Sequence, residues 1–503
     1  MNLGSVESLA YIYPEVTLVL SILAIFIVDL FVKEKEQLGY IALVGATLAL
    51  IFTSGLSFFG YRLVAGLQGW GEGWLFHRMM VIDNFAIFFK VILSLSAAGA
   101  IWMSLGSEEV KGPNQGEYYG ILLGSTLGMF FMASAANMLT AYLSLEFVSL
   151  TSYVLTGYLR HNRRSGEAAL KYLIYGGVAS GTMIYGMSWI FGLTGSLDYA
   201  EINRALLQGE ANRLALLIAL VLIFAGFGFK IAAVPFHMWA PDVYHGAPIP
   251  VTAFLAVGSK AAGFALLMRF FYPALSKTGE GGSWQFLAGV DWPQVMLVIS
   301  MITMTLGNLA ALNQQNVKRL LAYSSIAHAG YTLMGFVVLS NEGLRAMLFY
   351  LVVYYLMNLG AFLVVMIVVN NTGREDIEGF RGLAWRGGWL PAVAMAIFLF
   401  SLVGLPPLAG FIGKFYLFAA VVKENFYYLA VVGILNSVVS LYYYVRIVKT
   451  MFLDSPLGTD PEVTLDPHNG SLLALLSIAT VVLGIYWAPV IDFADRSARF
   501  FLG

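Results

Sequence analysis

Fourteen apolar segments of about 20 residues recur along this chain, and each is long enough to cross a bilayer as a helix. They begin near residues 15, 39, 81, 118, 137, 168, 214, 249, 294, 320, 344, 391, 427 and 471. Hydrocarbon offers no water to backbone N–H and C=O groups, so segments of this length must satisfy them internally as helices. The predicted fold is an all-α polytopic membrane protein. Composition agrees: of 503 residues, 59% are hydrophobic and only 11% charged, with a mean hydropathy of +0.78.

The same numbers exclude several functions. A net charge of −1 provides neither a basic surface for nucleic acid nor an acidic tail. With no cysteine, the chain cannot hold an iron–sulfur cluster, a haem thiolate, a zinc-thiolate site or an internal disulfide, so linked redox chemistry is expected on other chains. The first apolar run, Glu15 to Val32, follows acidic Glu7 and is too long for a signal h-region; it reads as a retained helix. No Gly-rich phosphate loop, nucleophile elbow or metalloprotease motif is present.

Basic residues crowd the odd-to-even connections: Lys33 and Lys35; Arg160, Arg163 and Arg164; Lys318 and Arg319; Arg374, Arg381 and Arg386. The positive-inside rule places these loops in the cytoplasm and both termini outside, against a smaller set opposite: Arg62, Arg78, Arg204, Arg213, Arg496 and Arg499. Prolines interrupt the seventh and twelfth helices at Pro235 and Pro406-Pro407, and broken helices at membrane depth line protein or water cavities.

The chain also resembles itself at a spacing of 178 residues. "SYVLTGY" from Ser152 matches "GYTLMGF" from Gly330, "EAALKY" matches "RAMLFY", and Arg269 meets Arg446 with a one-residue slip. A unit of five helices is odd, so the copies must be inverted, as in transport proteins with midplane ion sites. The predicted division is 1–117 for helices 1–3, 118–293 for the first repeat, 294–455 for the inverted second, and 456–503 for helix 14.

Four ionisable residues fall near mid-span: Glu146, Lys230, Lys260 and Lys414. Each costs roughly 2.5–3.5 kcal/mol if it faces lipid, so each is expected to face the interior with a partner or water. A Glu146–Lys230 ion pair could simply fix packing, but it leaves Lys260 and Lys414 without a carboxylate. Unpaired lysines in low dielectric are suited to carrying protons, and a carboxylate moving toward or away from Lys230 would switch its affinity. Lys171 sits at a snorkelling position. His237 and His328, the histidines inside predicted spans, read first as packing residues, with a proton-carrying role as the alternative. His245 is expected in the turn between helices seven and eight.

The stretch "KIAAVPFHMWAPDVYHGAPIPVTAFLAVGSKAAGFALLMRF", with "LSLEF" around Glu146 and "GLPPLAGFIGKF" around Lys414, resembles the antiporter-like membrane subunits of proton-pumping NADH:quinone oxidoreductase, respiratory complex I. The resemblance runs over essentially the whole chain. It is similar to the subunit N (subunit 2) branch: it lacks the lateral helix of subunit L and carries Lys414 where subunit M has glutamate. The resemblance implies a bacterial inner-membrane subunit of a translocase, with periplasmic termini, moving protons through Glu146, Lys230, Lys260 and Lys414. It also raises Lys171, and it carries no role to His245, where glutamate is common. It implies no cofactor on this chain, with NADH, FMN, iron–sulfur clusters and quinone on partner subunits. Expected partners are other membrane-arm subunits and membrane lipids. The alternatives are a subunit of a multisubunit cation/proton antiporter and a non-pumping scaffold.

Overall fold

The computed structural model describes residues 4–54, 73–209, 212–278, 284–287, 290–457 and 461–498; Arg62 and Arg499 lie outside them. A helix stands at each of the fourteen predicted positions. In chain order the helices are α1 Tyr13–Asp29, α2 Glu36–Ser54, α3 Asn84–Leu105, α4 Gln115–Ser134, α5 Met138–Thr156 and α6 Arg163–Thr194. There follow α7 Tyr199–Gln208, α8 Arg213–Ile231, α9 Trp239–Gly246, α10 Ile249–Phe254, α11 Lys260–Leu275, α12 Trp292–Leu312 and α13 Val317–Val337. The chain ends with α14 Asn341–Thr372, α15 Trp389–Val403, α16 Ala409–Lys423, α17 Tyr427–Phe452, α18 Pro467–Ile485 and α19 Ala488–Ala498. By length and composition, nine of the helices among the described residues could cross a membrane, or ten if a bent pair counts as one. The others are short, broken or more polar: α1 has 17 residues, and the twelfth predicted segment is split into two helices of 15. Two small hairpins, Gly73–Leu75 with Met80–Ile82 and Ser276–Thr278 with Trp284–Phe286, cap connections that sequence periodicity does not reveal.

The centre of the bundle is the span Ile249–Leu275, buried along its whole length, beside α14, which is 89% buried. The remaining apolar spans are 39–72% buried, so they enclose these two and present their other faces outward. Lys260 lies on the central pillar and cannot face lipid. The pillar is not a plain helix: a π-turn over Leu255–Ser259 joins α10 to α11, immediately before Lys260. Such turns widen the helix by one residue and re-aim the next side chain.

The repeat recurs in backbone hydrogen bonding. Asn137 bridges Asp198, and Asn316 bridges Asp376. The Met138 N–H donates to the Leu197 carbonyl, and the Val317 N–H to that of Glu375. Helices α6 and α14 each have 32 residues and end on left-handed Gly195 (φ 71°) and Gly373 (φ 67°). Arg269 Nε donates to the Ala133 carbonyl at 3.0 Å, and Arg446 Nη1 to that of Leu312 at 3.2 Å. Asp242 on α9 pairs with Lys171 near the start of α6, while His245 on the same short helix reaches Glu375, just past the end of α14. The two equivalent long helices therefore run in opposite directions.

Two deep ion pairs organise the N-terminal helices, one between two of them and one from α3 to this core. Lys90 on α3 meets Glu15 on α1 at 2.6 Å, with side-chain exposures of 5% and 1%. The Arg269 guanidinium grips both oxygens of Asp83, whose Oδ1 also accepts the Ala86 N–H and caps α3. Breaking a buried pair on one side strands the other charge, which costs about 3–5 kcal/mol. Asp83→Ala should therefore sharply lower the thermal unfolding temperature and yield of the assembled protein, and adding Arg269→Met should recover most of the loss.

Candidate functional site

The interior ammonium groups find oxygen atoms, but not the expected carboxylate. Lys230, in the last turn of α8, is fully buried, and its Nζ donates to Ser149 Oγ on α5 at 3.4 Å. Ser149 stands one helical turn from Glu146. Among the described residues no ion pair joins Glu146 to Lys230; the carboxylate acts on the ammonium electrostatically without contact, and its Oε1 is buried with no hydrogen-bond partner. The satisfied ion pair that would merely fix packing is therefore not formed; the ammonium is bonded to a hydroxyl instead.

Lys260 Nζ donates to the Ser325 carbonyl at 3.0 Å and also to the Ser325 hydroxyl, with the Tyr244 ring 5.9 Å away. One turn further along α11, a Cβ at Gly263 would lie 3.2 Å from Lys230 Cγ, so the helix of one lysine rests directly on the stem of the other. Lys414 Nζ donates to the Val403 carbonyl at 2.9 Å and to Ser437 Oγ at 3.1 Å, beneath the Tyr331 ring at 4.3 Å. Neutral oxygens and ring faces therefore replace carboxylates around Lys260 and Lys414.

One face of α13 lies between these two lysines. Ser325 receives Lys260; its neighbour Ser324 bonds the Tyr444 hydroxyl, which stands 3.3 Å from His328 Nε2. His328 Nδ1 lies 2.5 Å from the Tyr350 hydroxyl, and the ring feels both Lys260 and Lys414 electrostatically. Tyr331 accepts a hydrogen bond from Ser437 at 3.2 Å, and Ser437 in turn receives Lys414. Hydroxyls and imidazole can each accept one proton and release another, so this face supplies relay groups between the lysines, although among the described residues no hydrogen bond joins Ser325 to Ser324 or His328 to Tyr331.

The helix breaks explain why two of the lysines sit where they do. Helix α8 ends on left-handed Ala232 (φ 58°), with the Ala233 N–H returning to the Gly228 carbonyl at 2.8 Å. Helix α15 ends on left-handed Gly404 (φ 93°), which a Cβ would press to 3.0 Å from Lys414 Cδ. Each break exposes a helix C-terminus, the negative end of the backbone dipole, beside Lys230 in one case and Lys414 in the other.

A second charge cluster lies where α6 begins and α14 ends. Asp242 pairs with Lys171 at 2.7 Å and Arg319 at 2.5 Å, and Lys171 also meets Glu167 at 2.8 Å. Lys171 is thus ion-paired rather than simply snorkelling. Lys318, predicted in a loop, is buried: it donates to the Ala247 carbonyl at 2.9 Å and meets Glu375 at 3.3 Å. His245, expected in a turn, is on the last turn of α9, with Nε2 3.4 Å from Glu375. His237 lies in the break between α8 and α9, not on a helix, with Nδ1 buried and unpartnered; no bond joins it to the row.

Sequence position identifies the lysines, but not the serines and tyrosines that receive them. The spacing Ser324, His328, Tyr331 places three polar groups on one helical face and is a readable signal. Asp242, Glu375, Glu15 and Asp83 each need the tertiary fold to acquire a partner. Lys90, inside the third predicted segment, is legible by position alone. Among the described residues, no group of three or more His, Cys, Asp or Glu is placed to hold a metal ion.

Burial pushes the Glu375 carboxyl up, but the hydrogen bond from His245, the charge of Lys318 and the Asn316 amide outweigh it and hold it at about 2. A carboxyl depressed below its unfolded value of about 4.3 stabilises the fold above that pH, and the contribution is lost as pH falls toward about 2. The difference in unfolding temperature between the native protein and Glu375→Gln should be present at about pH 5, shrink below about 4, and vanish near 2.

Residues 135–440, which include Glu146, all three midplane lysines and the α13 face, match the family model described as NADH:quinone oxidoreductase/Mrp antiporter, TM. The chain is 45% identical over 519 residues to NADH-quinone oxidoreductase subunit N of Anaeromyxobacter sp. (strain Fw109-5), covering 99% of this chain and 98% of the relative. It is 47% identical over 510 residues to subunit N 2 of Sorangium cellulosum (strain So ce56), with the same two coverages. A chain of respiratory complex I from Thermus thermophilus superimposes with a TM-score of 0.76 at 29% identity, covering 96% of this chain and 99% of that one. The Mrp complex of Dietzia sp. DQ12-45-1b contains a chain of the same fold, at a TM-score of 0.78 and 20% identity, covering 98% and 97%. By near-full-length identity to these relatives, the chain belongs to the NADH-quinone oxidoreductase subunit N family.

Proposed function

We propose that this chain is a proton-translocating subunit in the membrane arm of a NADH:quinone oxidoreductase, coupling quinone reduction on other subunits to proton transfer along its buried row. The observation that carries the proposal is the α13 face, whose serines, imidazole and tyrosine stand between Lys260 and Lys414 with no carboxylate paired to either among the described residues. A purely structural ammonium would be better held by a carboxylate, as Lys90 is by Glu15.

Protons load from the cytoplasm onto Lys230, whose charge is favoured when Glu146 faces it and opposed when that carboxylate turns away. The proton then passes to Lys260, whose helix rests on the Lys230 stem. From Lys260 it moves along Ser325, Ser324, Tyr444 and His328 toward Tyr331, Ser437 and Lys414, each group accepting one proton and releasing another. Lys171, held by Asp242, fixes the face beneath α9, and His237 is a secondary candidate at the break. The chain crosses a bacterial inner membrane fourteen times with both termini periplasmic, divided as 1–117, 118–293, 294–455 and 456–503. NADH, FMN, iron–sulfur clusters and quinone belong to partner subunits.

A cation/proton antiporter subunit would share this fold, but the full-length identity of 45–47% is to subunit N chains, whereas the Mrp likeness, at 20%, is one of fold alone. Lys260→Ala in the assembled complex should reduce NADH-driven proton pumping and quinone reduction together, by about tenfold or more. NADH oxidation by a soluble artificial acceptor should stay unchanged. Normal pumping by a fully assembled variant would remove Lys260 from the path.

A further inference from the structure

At the junction of the α3–α4 and α5–α6 connections lies a cavity of about 640 Å³, apart from the lysine row. Its wall carries Lys111, Arg160, His161 and Arg163, with Glu109 at its inner side. Glu109 is already engaged, its Oε2 accepting the Ile249 N–H at 2.7 Å, so it caps the helix that leads to Lys260. Lys111 pairs with Glu108 and Arg160 with Glu117, both at 2.7 Å, but those four side chains are 46–62% exposed. Ion pairs that open to solvent hold their cations weakly. Arg163 and His161 make no hydrogen bond or ion pair through their side chains among the described residues, although Glu167 lies one turn from Arg163.

The backbone adds positive potential. Helix α4 begins at the cavity wall, and its N-cap Asn114 makes no side-chain cap bond, leaving first-turn N–H groups open. Helix α6 also begins at this cavity, with Arg163, and the Asn162 side chain satisfies only the Arg164 N–H there. Two helix N-termini lining one cavity, one of them carrying the Arg163 guanidinium, suit a phosphate. Below the cavity the surface turns apolar: Val154 on α5 and Leu170 and Leu173 on α6 are 47–56% exposed. Charge above and exposed aliphatic side chains beneath match an amphiphile better than a free ion.

We propose that this cavity binds the phosphate headgroup of an anionic phospholipid, with an acyl chain lying along the outer face of α5 and α6. The site draws on no residue of the proton path, so it stands or falls separately from the functional reading above.

The test is photolabelling of the assembled, detergent-purified complex with diazirine-bearing phosphatidylglycerol or phosphatidylcholine, followed by peptide mapping of this chain. Phosphatidylglycerol should label residues 112–117 or 157–170 about fivefold more than phosphatidylcholine, the preference expected for roughly one cation at a membrane surface. The double variant Lys111→Gln/Arg163→Gln should lose that preference by a similar factor, while Arg381→Gln, in a different connection, should keep it. Excess inorganic phosphate should leave the labelling in place. Equal labelling by the two lipids, an undiminished signal in the double variant, or displacement by inorganic phosphate would each overturn the assignment; the last would reassign the site to a soluble anion. The comparison of headgroups on the unmodified complex keeps the test decisive if the variant fails to assemble.

Discussion

An ammonium group taken out of water must be given oxygen atoms, or it will not stay inside a membrane protein. That requirement shapes the centre of this bundle. Lys230, Lys260 and Lys414 are each buried, and each is bonded to a serine hydroxyl, to a main-chain carbonyl, or to both. The carbonyl beside Lys414 becomes available because α15 stops at Gly404. The turn that presents Lys260 follows from a π-turn in the most deeply buried span. Irregular backbone thus appears where the charges are, and the regular helices close around it.

Neutral oxygens hold a charge loosely enough for it to leave. The contrast lies within the same molecule: Lys90 meets Glu15 as a closed pair between α3 and α1, and Arg269 meets Asp83 as a closed pair that pins α3 to the core. Among the described residues the lysines of the row lack such partners, and α13 supplies hydroxyls and an imidazole between Lys260 and Lys414 instead. The inverted repeat provides the broken helices from both directions, which places Lys230 and Lys414 beside helix C-termini of opposite halves. Asp242 and Glu375 then bind the starts of α6 and α13 to the end of α14, holding the halves together at one face.

The fold was largely legible because hydrocarbon length and proline breaks leave few alternatives, and all fourteen predicted positions carry helices. The lysines were legible for the same reason: a charge in an apolar run is visible in one dimension. Their partners were not. Ser149, Ser325 and Ser437 are unremarkable residues until tertiary packing brings them to an ammonium. Among the described residues Glu146 and Lys230 form no direct ion pair, and the lysine bonds Ser149 instead. Lys318, in a basic connection, reads as a solvated charge, yet it is buried because the Ala247 carbonyl and Glu375 converge on it. The contact of His245 with Glu375 depends on a chain separation that no local pattern encodes.

The central claim is that the buried lysines form one proton-conducting row, which requires water or a protein hydroxyl at every gap. Ordered water in a structure of the whole assembled complex, at a resolution that shows single molecules, is the most direct measurement. Bridging waters between Lys230 and Lys260, and again between His328 and Lys414, are the predicted result. Apolar side chains filling either gap in every state of the turnover cycle would contradict it.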